Sequence, residues 1–404
     1  MKRRIGIFLM VCLQLLLLTG CWSKKELNDL ALVSAVGLDL NKQGKYVGTF
    51  QFVNPGNVTG SFQGGGGGQG NAVSVYSATG DNIDEISRRM ATKVSRNLYY
   101  AHANLVVISD KLAKKKGVLP ILDAFDRDAT FRNTATVVIA HDAKAADLIK
   151  TLTAIDKLPA NKVIKLLRFS ERVWGASLNI MMIDVIKDLT DDGKQPLISG
   201  FNLKGSSSTG EKVSNIMQST PQAAPVVDGL ALFKHGKLVG WIDGKKARGA
   251  VWTLNKIKKT EININKKGRK EAIALEVIRQ NTSISTSVKN RTAQLNVRVE
   301  TEGNIGETKV PVNLKDPHVI ADLEKGFEKQ VKSEIKAAIK EAQAKKTDIF
   351  GFGDAVHRSQ PETWKRISKN WDEDYFAKAN VKVKVDVFVR RTGLRNNSFL
   401  SGAK

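Results

Sequence analysis

Among the side chains that could do chemistry, Cys21 has the most specific setting. Leu18-Thr19-Gly20-Cys21 closes an apolar run from Ile5 to Leu18 that is itself preceded by Lys2, Arg3 and Arg4. A basic leader, an apolar stretch too short for an ordinary spanning helix and small residues before a cleavage point are the marks of a secretory signal. Thr19 and Gly20 let the backbone lie extended in a peptidase groove, and the Cys21 thiol is the nucleophile that takes a diacylglycerol. The expected chemistry is thioether lipidation, then cleavage that leaves Cys21 as an acylated first residue. The other candidates carry less. His102, His141, His235, His318 and His357 are far apart, and none has the His-Glu-x-x-His or His-x-His spacing that sets two ligands on one face. No Gly-x-Ser-x-Gly elbow is present, and with Cys12 in the leader and Cys21 blocked there is no thiol nucleophile. Asp123, Asp126 and Asp128 read as a charged helix surface rather than a catalytic carboxylate pair. Gly351-Phe352-Gly353 lacks the preceding strand and third glycine of a dinucleotide fingerprint, and the run Gly64 to Gly68 lacks the Lys-Ser/Thr of a phosphate loop. The expectation is a protein with no catalytic residues, no metal and no cofactor.

Composition sets the frame for these residues. With 404 residues, 42% hydrophobic and 26% charged, the chain is of globular type and long enough for two or three domains. Its two cysteines leave no disulfide within a processed chain. The 64 basic residues exceed the 40 acidic ones by 24, and losing Lys2, Arg3 and Arg4 lowers the excess to +21. Such a balance favours an anionic membrane surface, where each nearby Lys or Arg adds about 1 kcal/mol. Nucleic acid is disfavoured by export, by the absence of an arginine-rich arm and by an aromatic content of only 6%.

The pattern of apolar residues predicts the elements. Leu30 to Leu40 reads as a buried strand with Tyr46 to Val53 as its hairpin partner, and residues 54–71 as a Gly-rich loop. Val73 to Ala78 is a further strand, and Ile83, Ile86, Met90, Val94 and Leu98 recur at helical spacing behind an Asp81 or Asn82 cap. Strands at 105–108 and 135–140 alternate with a helix interrupted near Pro120 and one capped by Asp142, followed by helical stretches to Leu189. The clearest element is a helix from Pro317 to about Lys346, capped by Asp316, with Ile320, Leu323, Phe327, Val331, Ile335, Ile339 and Ala342 on one stripe. Glu328 ahead of Lys332 and Glu341 ahead of Lys345 are placed to pair along it. Pro361 opens another helix bearing Trp364 and Trp371, and the valines from Val381 to Val389 alternate as a half-buried strand. The resulting organisation is α+β, with several mixed α/β domains in series behind a lipidated N-terminus. Residues 1–20 form the signal, 21–200 an N-terminal mixed α/β domain, 201–225 a linker and 226–265 a small middle domain of hairpin and short helix. Residues 266–395 form a C-terminal domain of antiparallel strands and two helices, and 396–404 a tail.

Taken together, these pieces resemble a family. Cys21-Trp22, Glu26-Leu27-Asn28-Asp29, Gly37-x-Asp39, Arg96-Asn97-Leu98-Tyr99-Tyr100 with His102, Gly229 to Phe233 with Lys237-Leu238-Val239-Gly240, Asp348-Ile349-Phe350-Gly351-Phe352-Gly353, Trp364, Trp371 and Arg390-Arg391-Thr392-Gly393 occur in the order and spacing of the C subunits of bacterial spore germinant receptors. The resemblance implies a non-enzymatic lipoprotein on the outer face of the cell membrane and inner spore membrane. It also implies integral A and B subunits as partners and small nutrients as the stimulus. Trp364 and Trp371, on the apolar side of their helix, are expected in the core, and Gly351 and Gly353 are expected to serve backbone turns. From another class, the competing expectation is an extracytoplasmic solute-binding lipoprotein that delivers a small molecule to a transporter, with two like lobes around a cleft.

Overall fold

The apolar run after the leader forms strand β1, Leu30–Leu40, which lies within a nine-stranded sheet. The structure is a computed structural model that describes residues 4–6, 26–58, 70–290 and 292–392. The signal apart from residues 4–6, Cys21, the Gly64 to Gly68 run and the 396–404 tail lie outside the described residues. β1 is apolar without strict alternation because both faces are covered. Val33, Val36 and Leu38 enter one core with Ile86, Leu112 and Ile121, while Ala35 enters another with Leu148, Val163 and Leu167.

Strands β2 (Tyr46–Val53) and β3 (Val73–Gly80) continue the sheet antiparallel to one side. On the other side β5 (Leu105–Ser109), β6 (Thr136–Ala140) and β7 (Leu197–Lys204) run parallel to β1, with β4 (Asn97–Tyr99) pairing only Leu30 to Leu32. Strands β8 (Ala224–Lys234) and β9 (Lys237–Ile242) complete it as an antiparallel hairpin.

The second sheet has the order β10 (Thr260–Lys266), β11 (Arg269–Lys289), β12 (Thr292–Thr308) and β13 (Asn380–Arg391). The helix Pro317–Ala344 lays its apolar stripe on this sheet, burying Leu323, Phe327, Val331, Ile335 and Ile339 against Leu275, Leu295, Val385 and their neighbours. Asp316 accepts from the His318 N–H at 2.9 Å and caps the helix as its sequence position requires. The same core takes in Leu197, Leu230 and Leu232 of the first sheet, so the two sheets share buried surface.

Several expectations need correction. The helix after β3 ends at Met90, and Leu98, expected on its stripe, is in β4 instead: the chain turns through residues 91–96 and then pairs with β1. Asp142 does not cap the next helix. It adopts φ 48°, and Asp39 of β1 accepts the Ala145 and Ala146 N–H groups at 2.9 and 3.0 Å in its place. Residues 201–225, expected as a linker, hold the end of β7 and the start of β8, which pair with each other from Leu197↔Leu232 to Lys204↔Ala224. The Gly, Ser and Pro content of this stretch therefore belongs to a connection between neighbouring strands. The expected middle domain 226–265 is divided, with β8 and β9 in the first sheet and β10 in the second. In the C-terminal part β13 joins β12 in parallel, because the chain crosses back through the long helix before pairing. Glu341 pairs with Lys246 at 2.7 Å rather than Lys345, and Glu328 accepts from the Val387 N–H at 3.4 Å rather than pairing Lys332. Groups from neighbouring elements thus displace the expected partners on the same helix.

Candidate functional site

Two motif segments far apart in sequence meet at the start of β1. Leu30, Ala31 and Leu32 pair in parallel with Asn97, Leu98 and Tyr99, which sets Asn28 beside Arg96 in a groove of about 520 Å³. The end of β2 at Phe52 to Pro55 and Tyr76 of β3 form the rest of its wall. Lys93 donates to the Ser77 carbonyl at 2.6 Å, whereas Arg96 is exposed and forms no ion pair among the described residues. Tyr76, on the edge strand β3, is 42% exposed. His102 is also exposed and packs edge-on to Tyr99, with ring centroids 5.9 Å apart. Glu26 follows Cys21 by five residues, which span at most about 18 Å, so the start of β1 lies within a short chain length of Cys21.

At the junction of the two sheets Asp348 organises the Asp-Ile-Phe-Gly-Phe-Gly segment. Its side chain is buried and accepts four hydrogen bonds: from the Phe350 and Gly351 N–H groups on Oδ1 at 3.0 Å each, and from the Gly353 N–H and Trp371 Nε1 on Oδ2 at 2.8 and 2.9 Å. Burial pushes its carboxyl up to about 6 despite those donors. Gly351 has φ +82°, a conformation glycine adopts without strain. A Cβ on Gly353 would come within 2.7 Å of the Gly193 carbonyl oxygen, so the two backbones touch there. Asp354, beside them, is raised to about 7 by burial and by its hydrogen bond with Asp191. Gln195 donates its N–H to the Asp348 carbonyl at 2.8 Å and accepts the His235 N–H at 2.9 Å, tying in the β8–β9 turn. Trp364 and Trp371 are 4% and 2% exposed and meet edge to face.

A second buried tie lies further along. Arg248 donates from Nε to Glu334 at 2.8 Å, from a second nitrogen to the other oxygen of that carboxylate, and from Nη1 to the Glu261 carbonyl at 2.7 Å. Gly249 makes room for it, since a Cβ there would sit 2.1 Å from the Glu334 carbonyl oxygen.

The remaining candidates fall apart as sites. Asp123 pairs with Arg127 at 2.9 Å, Asp128 accepts from Thr130, and among the described residues no three His, Cys, Asp or Glu side chains come together as metal ligands would. The histidines take separate roles. His141 stacks on Trp241 at 3.8 Å with Nδ1 2.9 Å from Asp228, His235 turns the β8–β9 hairpin, His318 lies in the first turn of the long helix and His357 stacks on Trp364. Sequence reasoning misses Arg248 and Glu334, which are 86 residues apart; only the Arg248-Gly249 pairing, a charge beside a residue without a side chain, hints at a close crossing.

The structure thus places an open groove near the start of β1 and a buried polar tie between the two sheets. Along the sequence, a model described as spore germination protein N-terminal domain matches residues 23–203, and one described as spore germination B3/GerAC like, C-terminal, matches residues 228–393. The chain belongs to this spore germination family, as a homologue of its C-subunit proteins. It is 42% identical to spore germination protein KC of Bacillus subtilis (strain 168) over 398 residues, 98% of each chain. With spore germination protein B3 of the same organism it shares 24% identity over 91% of this chain and 92% of the relative. The crystal structure of the GerBC protein superposes with a TM-score of 0.55 at 19% identity, covering 88% of this chain and 96% of that one, and shares the fold. Among the described residues no helix is long and apolar enough to cross a membrane.

Proposed function

We propose that this chain is the non-enzymatic C subunit of a membrane nutrient germinant receptor required for spore germination. It is lipid-anchored at Cys21 on the outer face of the cell membrane, which becomes the inner membrane of the spore, and it works with integral A and B subunits. The observation that carries this reading is the 42% identity to spore germination protein KC over 98% of both chains. The two sheets differ in strand number and order, which gives no support to a solute-binding protein with two like lobes. The groove at Asn28 and Arg96 is the face offered to the membrane partners, because the short span from Cys21 keeps it at the bilayer.

The anchor is tested by Cys21→Ala. More than one acyl chain, at about 0.8 kcal/mol per buried CH2, holds a protein stably where one does not. The variant is expected to lose lipidation and to leave membranes in a high-salt wash; complete retention would show that partner contact, not lipid, is the main anchor. Isothermal titration of the lipid-free protein with amino acids and sugars is expected to show weak or no binding. Micromolar binding with defined stoichiometry would replace this reading with the solute-binding one.

A further inference from the structure

Along the seam between strand β10 and the helix Pro317–Ala344, away from the groove at Asn28 and the Asp348 tie, three lysines face open space. Strand β10 is an edge of its sheet, and between it and the helix Pro317–Ala344 lies a groove of about 680 Å³ lined by Lys245, Lys270 and Lys329. All three are exposed, and none forms an ion pair among the described residues. Lys246 pairs with Glu341 and Arg248 with Glu334, whereas the three lysines that line the groove have no carboxylate partner among the described residues. Glu271 is the one carboxylate in its lining, and Asn263 and Gln330 add amides.

The groove runs into a smaller hollow of about 230 Å³ through Lys245, Asn263 and Glu271, and Trp174 forms part of that hollow's wall. Trp174 is 59% exposed, with Phe169 at 58% and Val173 at 45% on the preceding turns of the helix Pro159–Val173. The backbone at Trp174 is held in place. The Trp174 carbonyl accepts from Thr260 Oγ1 at 2.7 Å, and Gly175 behind it, at φ +71°, packs against Ile257 and Thr260. Single exposed apolar residues are ordinary, but Trp174 forms a wall of the hollow beside the lysines and so offers an apolar contact next to the charges.

We propose that this seam is a docking groove for an acidic segment of a partner protein that carries an apolar side chain. Three lysines against one carboxylate favour an acidic occupant by charge complementarity. Trp174 calls for an apolar group on the occupant, because a pure polyanion would satisfy the lysines and leave its indole in water. An edge strand as one wall suits an extended backbone.

The test uses the full chain in phosphatidylcholine nanodiscs and, by fluorescence anisotropy, a fluorescein-labelled peptide of alternating Asp and Leu. The peptide is expected to bind the parent, and charge reversal at Lys245→Glu with Lys329→Glu, or Trp174→Ser, to weaken it by at least about tenfold, as buried aromatic anchors and complementary charges do. Lys382→Glu, on the opposite edge strand, is expected to leave binding unchanged, and circular dichroism confirms that each variant is folded. Equal binding by the seam variants, equal loss with Lys382→Glu, equal binding of polyglutamate or poly(glycerol phosphate), or no peptide binding by the parent would each overturn the proposal.

Discussion

Asp348→Asn isolates what the junction contributes. The carboxylate serves four buried donors, two on each oxygen. An asparagine offers one acceptor oxygen, so two of those donors lose their partner and the new amide faces N–H groups. Each unsatisfied buried donor costs about 1–3 kcal/mol, which gives roughly 2–6 kcal/mol before any relief. Relief comes from no longer burying a charge, and it depends on pH. The Asp348 carboxyl lies at about 6 in the folded chain and at roughly 4 when unfolded, so the folded state holds the proton more tightly. Its contribution to stability is fully present below about pH 4 and is lost as pH rises through about 6. The parent should therefore unfold at lower urea at about pH 7.5 than at about pH 5, and the Asn variant should show a smaller dependence over that range. Urea unfolding of the lipid-free chain at both pH values measures this. A variant within about 0.5 kcal/mol of the parent, or one with an unchanged pH dependence, would refute the view that the four donors depend on this carboxylate.

Arg248→Met leaves Glu334 buried without its cation and should cost about 3–5 kcal/mol in the same assay, whereas Arg248→Met with Glu334→Leu should recover most of it. Asp39→Ala removes the acceptor of the Ala145 and Ala146 N–H groups; a loss of about 1–2 kcal/mol is expected, with faster amide exchange in the helix Ala145–Lys150. Gly353→Ala sets a Cβ against the Gly193 carbonyl and should lower stability by about 1–3 kcal/mol; an unchanged urea midpoint would mean that the two backbones separate freely.

Much of the fold is legible in the sequence where local pattern and burial agree. The stripe from Leu323 to Ala342 and the alternation of Val383, Val385 and Val387 each bury one face, so period alone locates them. Leu98 misleads because its spacing continues the helical period while β1 offers it hydrogen bonds that no local pattern reports. The same reason hides the role of Asp39, whose partners lie more than 100 residues away. Of the candidate site, the Asp348 segment is visible as a motif and Gly351 as a turn, but the carboxylate's four donors include Trp371, placed only by tertiary packing. The groove is half legible: both of its segments stand out as motifs, but their juxtaposition depends on a three-residue parallel pairing. Cys21 lies outside the described residues and rests on sequence alone.

The pairing of β7 with β8 bears on how this molecule can be divided. The N-terminal family match ends at Leu203, within β7, while most of the hairpin that closes the first sheet, β8 and β9, lies in the C-terminal match that begins at Asp228. A fragment cut between the two matches would expose the hydrogen-bonding edge of β7, a template for pairing with other chains. The C-terminal fragment would carry a hairpin with no sheet to join. Chimeras between relatives should therefore exchange at the β9 end, at Asp243, so that each donor supplies a complete sheet.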